Sequence, residues 1–112
     1  MNRSVSVGVL AVLALAACGD SGPSAPSEPN TVLVTSNQFT PAQLTTTPGS
    51  TVTWLWQSGE HDLTFEDGIG NVGVRSSGSS TRNFGAAGTF RYRCVIHSSS
   101  YTVGMVGSVQ VQ

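Results

Sequence analysis

The chain contains no lysine, so its five basic residues are all arginines, set against six acidic ones. Charged residues make up only 10% of its 112 positions, and the formal net charge is −1. No segment carries a basic stripe, which excludes nucleic acid as a partner. Helical periodicity is missing throughout, which argues against a bundle or an α/β architecture. Long apolar runs are missing too: the longest, Val5 to Ala17, has thirteen residues, against the roughly 20 that a spanning helix needs. Cysteine and histidine occur twice each, so any site built from them has few ways to be assembled. What the chain has instead is Gly, Ser, Thr and Val, with 13 glycines and 38% hydrophobic residues. That composition fits one small all-β domain with many turns.

The scarce residues gather in one stretch, Tyr92 to Gly107. Phe90, Tyr92 and Cys94 alternate with Thr89, Arg91 and Arg93, which turns the thiol toward a core and the two arginines outward to solvent. The alternation stops at His97 and resumes with Met105, Gly107, Val109 and Val111. Thiolate, imidazole and thioether are soft or borderline ligands, a set that selects copper over harder ions. A second imidazole can come only from His61.

At the N-terminus, Arg3 precedes the apolar run, which ends Leu15-Ala16-Ala17-Cys18. This ending resembles the lipobox of bacterial lipoproteins, which implies cleavage before Cys18 and a lipid on its sulfur. An ordinary secretory signal is the alternative, and both export the protein. Residues 1–17 are thus expected to be a signal peptide. Residues 18–30, with prolines at 23, 26 and 29, form an extended tether. In an oxidising compartment two cysteines suggest a disulfide, but a lipidated Cys18 leaves Cys94 as an unpaired thiol.

From residue 31 to 112 the chain reads as strand and turn. Val32 and Val34 open an alternation, Asn37 to Pro41 reads as a loop whose Phe39 plugs the core, and Leu44 marks a short strand. Pro48-Gly49 is a tight turn. The clearest strand is Thr51 to Gln57, with Val52, Trp54 and Trp56 on one face and Leu55 on the other. Asp67 to Arg75 is glycine-rich and reads as irregular, Ser76 to Ser80 reads as a flexible turn, and two further strands, Thr81 to Phe84 and Thr89 to Cys94, flank a Gly85-to-Gly88 corner. About eight short strands predict an antiparallel sandwich or barrel.

Val32 to Val111 resembles a cupredoxin of the plastocyanin and halocyanin type. The likeness lies in Asn37 to Pro41, Pro48 to Trp54, Glu60 to Phe65, Tyr92 with Cys94 and His97, and Gly104-Met105-Val106-Gly107. The resemblance implies a Greek-key β-sandwich of about eight strands holding one type 1 copper per chain. It carries over His61, Cys94 and His97 as equatorial ligands and Met105 as the axial one. The sequence departs from the pattern twice. Seven residues separate His97 from Met105, where short-loop members have about four, and the extra Ser-Ser-Ser-Tyr is expected to protrude into solvent. Asp62 stands where the family commonly has an asparagine that ties the two ligand loops; a carboxylate accepts the same bonds but donates none.

These readings predict an exported, membrane-tethered, monomeric one-electron carrier that meets redox proteins in the cell envelope and is not an enzyme. The alternative is an extracytoplasmic copper-delivery protein without redox turnover. Cys94 with His97 also has the form of a thiol nucleophile and its base, but no orienting group or oxyanion site is legible. Zinc and a metal-free immunoglobulin-like module complete the alternatives.

Overall fold

The computed structural model describes residues 28–112. The expected signal segment 1–17, Cys18 and the tether up to residue 27 lie outside the described residues. Nine strands follow: β1 (Thr31–Thr35), β2 (Gln38–Thr40), β3 (Gln43–Thr46), β4 (Ser50–Trp56), β5 (His61–Phe65), β6 (Val72–Arg75), β7 (Gly78–Phe84), β8 (Gly88–Ser98) and β9 (Gly104–Val111). They form a four-stranded sheet, β2-β1-β4-β7, and a five-stranded sheet, β3-β9-β8-β5-β6. β1 runs parallel to β4, and β3 runs parallel to β9, whereas the other neighbours are antiparallel.

The period-2 pattern of β4 decides its packing. Val52, Trp54 and Trp56 are buried between the sheets while Leu55 stays at the surface. Trp54 meets Phe65 and Tyr92 edge-on, with ring centroids at 5.3 and 5.4 Å, and Phe39 meets Tyr92 at 4.8 Å. Such pairs add about 0.5–1.5 kcal/mol each beyond the area they bury. The packing is tight around Tyr92. A Cβ on Gly107 of β9, which pairs with Tyr92 across the sheet, would lie 2.5 Å from its ring.

Three expectations change. Phe39 does plug the core, but it does so from a strand, β2, whose backbone pairs with β1. The segment read as irregular contains β6, and the one read as a flexible turn contains the start of β7. Gly78, Ser79 and Ser80 pair with Trp56, Leu55 and Trp54, a backbone ladder that polar, glycine-rich residues do not announce in sequence. Nor do the two arginines of β8 simply face solvent. Arg91 grips Glu66 through two hydrogen bonds, and Arg93 is half-buried with its guanidinium 5.0 Å from the Tyr101 ring centre.

Both ends of the sandwich are elaborated. At one end, Arg82 of β7 lies over Phe65, Phe84 and Phe90 and donates to both oxygens of Asp67 and to the Ile69 carbonyl. The other end, where β4, β5 and β8 finish or begin, carries both histidines and Cys94.

Candidate metal centre

His61 opens β5, and Cys94 and His97 lie near the end of β8, so two segments distant in sequence deliver the three side chains. The His61 and His97 Nδ1 atoms are 3.1 Å apart, and the Cys94 Sγ is 3.8 Å from the first and 3.4 Å from the second. All three donor atoms lie within 4.8 Å of one another. Nitrogen and sulfur donors sit about 2.0–2.3 Å from a borderline metal. Three of them around one centre are therefore about 3.5 Å apart, close to the separations found here.

The His61 ring is held from outside the group. His61 Nε2–H donates to the Ser58 carbonyl at 2.9 Å, which fixes the tautomer and leaves the Nδ1 lone pair free. Trp56 Nε1–H donates to the His61 carbonyl at 2.9 Å, pinning its backbone to β4. Gly59, at φ +78°, lets the turn pass beneath the ring: a Cβ there would lie 2.6 Å from His61 Nε2. His61 and Cys94 are 1% and 0% exposed, whereas the His97 side opens to solvent.

Asp62 joins the two ligand segments. Its Oδ1 accepts from the Val95 N–H and its Oδ2 from the Thr64 hydroxyl, both at 2.7 Å. The carboxylate thus makes the tie between ligand loops that the sequence put in question. Burial pushes the Cys94 thiol above its ordinary value. The Asp62 carboxylate adds to the rise, while the backbone N–H groups of Asp62 and Ile96 oppose it. A bound cation reverses this preference, because a coordinating thiol is deprotonated.

Three comparisons with solved structures agree on the architecture. A mutant amicyanin in its oxidised form matches with a TM-score of 0.61 at 22% identity, over 73% of this chain and 80% of the other. Oxidised plastocyanin from Dryopteris crassirhizoma matches at 0.61 and 18% identity, over 73% and 99%. A purple cupredoxin from Nitrosopumilus maritimus matches at 0.59 and 21%, over 73% and 98%. The chain has a cupredoxin fold. No protein-family model and no curated relative matches the sequence.

Within this cupredoxin fold the His61–Cys94–His97 group fits one copper ion per chain: two imidazoles and one thiol converge, and the donor set is soft to borderline. The long ligand loop closes as its own hairpin. Ser98 pairs with Gly104, and the Ser99 N–H donates to the Val103 carbonyl at 3.2 Å. Gly104, at φ +101°, makes the turn back, since a Cβ there would meet the His97 carbonyl oxygen at 2.6 Å. The extra residues thus form a hairpin beside the site, and Tyr101, expected to protrude, is half-buried against Arg93 and Arg91 on the outer face of β8. Val106 is the partner of Arg93, and one residue toward the site on each strand stand Met105 and Cys94, both buried in the core.

Several supporting groups escape sequence reasoning. The Ser58 carbonyl, Gly59 and the Trp56 indole act on His61, and the Ser98 hydroxyl donates to the Cys94 carbonyl at 2.6 Å. A serine or glycine in a turn carries no signal of the ring it will meet.

Proposed function

We propose that the domain is a type 1 copper protein that carries one electron at a time, with His61, Cys94 and His97 as strong ligands and Met105 as a weak axial one. Bound copper supplies the Cu(II)/Cu(I) couple. The observation that carries this reading is the convergence of three donor atoms within 4.8 Å on a rigid sandwich, with only one ligand open to solvent. Neighbouring strands β5 and β8 of one sheet hold the donors, so the fold sets the site's shape in both oxidation states and little rearrangement accompanies transfer. Met105 is 2% exposed on β9, and Gly104 before it, at φ +101°, suits a backbone that turns close to the site.

His97 is the natural point of contact. Around it, Val95, Ile96 and Val103 expose apolar side chains, a rim that sheds water when a partner's flat apolar face meets it. The partner class is therefore a redox protein of the cell envelope, met by a monomer. Export and the lipid on Cys18 belong to the same reading and rest on the apolar run and the Leu15-to-Cys18 ending. All three strong donors being engaged supports a carrier rather than an enzyme. Copper delivery without redox turnover is the second reading; the exposure of His97 favours it, since ligand exchange would begin there.

The test is the visible spectrum of the mature protein after adding Cu(II). One copper per chain and an intense thiolate-to-Cu(II) band are expected, lost entirely in Cys94→Ser. A colourless Cu(II)-bound wild type sinks the type 1 site. Copper lost to a chelator on reduction would turn the reading to delivery.

A further inference from the structure

Asp62 is 6% exposed, and both of its oxygens accept, one from an amide and one from a hydroxyl. Acceptor-only bonding is that of the ionised carboxylate. Buried charges are ordinarily paired with a cation or directed at a metal. None of the four arginines among the described residues provides the pair. Arg82 holds Asp67 and Arg91 holds Glu66. Arg75 lies over Trp56 and donates to the Ser77 carbonyl. Arg93, the strand partner of Thr64, directs its guanidinium to Ser98 and Tyr101. Meanwhile Asp62 adjoins His61 in the chain, and the amide it accepts adjoins Cys94.

We infer that the Asp62 carboxylate takes the copper centre as its counter-charge and so favours Cu(II) over Cu(I), lowering the reduction potential below that of an otherwise equal site with a neutral amide. The inference rests on the copper reading above. The physical cause is Coulombic: a fixed anion in a poorly solvated position stabilises the more highly charged metal state more. Thr64 and the Val95 amide hold the anion in place and partly neutralise it. Asp62 is thus a positioning residue with an added electrostatic effect. A neutral residue of the same shape keeps the first role and loses the second.

The experiment compares the copper-loaded mature protein with Asp62→Asn by redox titration and visible absorption. Asparagine keeps an acceptor for the Val95 amide, so the blue band is retained. The preference for Cu(II) over Cu(I) falls roughly tenfold, which for one electron is about 59 mV upward in potential. Thr64→Val removes a donor and leaves the charge, so it moves the potential downward. In the metal-free forms, Asp62→Asn melts no lower than wild type, and the rise in melting temperature on adding Cu(II) is smaller. A purely structural Asp62 would lower the metal-free melting temperature and leave the potential unmoved, which overturns the inference. So would an upward or zero shift in Thr64→Val. If the wild type itself is colourless with Cu(II), the copper reading fails and this one with it; two blue proteins of equal potential sink this inference alone.

Discussion

At one end of the sandwich Arg82 lies across three phenyl rings and donates to Asp67; at the other, His61, Cys94 and His97 turn their donor atoms toward one another beside a carboxylate that no arginine among the described residues meets. The first end is complete within the chain, because its charges, rings and carbonyls satisfy each other. The second is arranged around something the chain does not supply. The difference teaches how a small domain separates tasks: at one end the charged groups are paired within the chain, and at the other the donor atoms converge where an external ion can complete the site.

If that separation is real, the two ends can be broken independently. The largest effect is expected from Arg82→Ala, which strips packing, stacking and hydrogen bonds from a side chain that is only 10% exposed. It should cost roughly 2–3 kcal/mol of unfolding free energy while leaving the blue band unchanged. The same variant should change acid behaviour. Hydrogen bonding from Arg82 holds the Asp67 carboxyl below its ordinary range. Its contribution is complete above the unfolded pKa, about 4, and is lost as pH falls toward the lower folded value. A melting-temperature series from pH 5 to about 2 should fall more steeply in wild type than in the variant. A change of colour in Arg82→Ala would show that the ends are coupled.

A smaller effect, confined to the other end, is expected from Gly59→Ala. The new Cβ collides with the His61 ring and forces its Nε2 away from Ser58. Copper affinity should fall by about 10–100-fold, as for lost outer-shell support, and the band should shift. Metal-free stability should fall by only about 1 kcal/mol, the cost of alanine at positive φ. Isothermal titration beside thermal melting distinguishes the two; unchanged affinity would mean that Gly59 does not set the ring.

The smallest effect sharpens the comparison within the site itself. Met105→Leu should keep the blue colour, because the axial thioether bond is long and weak. Loss of the sulfur disfavours Cu(II), so the potential should rise, by roughly tenfold in preference or about 59 mV. Unchanged spectrum and potential would make Met105 a core residue alone.

Much of this was legible in one dimension. The alternations of β4 and β9, and of β8 as far as Cys94, follow from the pleat, which puts every second side chain on one face whatever lies opposite. Scarcity did the rest, since two histidines and one thiol besides Cys18, which was expected to carry lipid, left a single combination to test. Strands β2, β6 and the start of β7 were not legible, because ladders made by backbone atoms place little demand on side chains that remain in water.

The sequence by itself determined an all-β domain and the four residues His61, Cys94, His97 and Met105 as candidate ligands, because residue chemistry and period are local properties. Tertiary structure alone decided that His61 reaches Cys94 across 33 positions, that Ser58 and Gly59 orient its ring, and that the long loop closes as a hairpin with Tyr101 laid against Arg93. It also decided that Asp62 lies buried between the two segments with no arginine among the described residues beside it, whereas Asp67 and Glu66 are paired. The physical reason is that direction and distance between remote segments come from the pairing of strands within a sheet and the packing of the two sheets, and no residue carries that information alone.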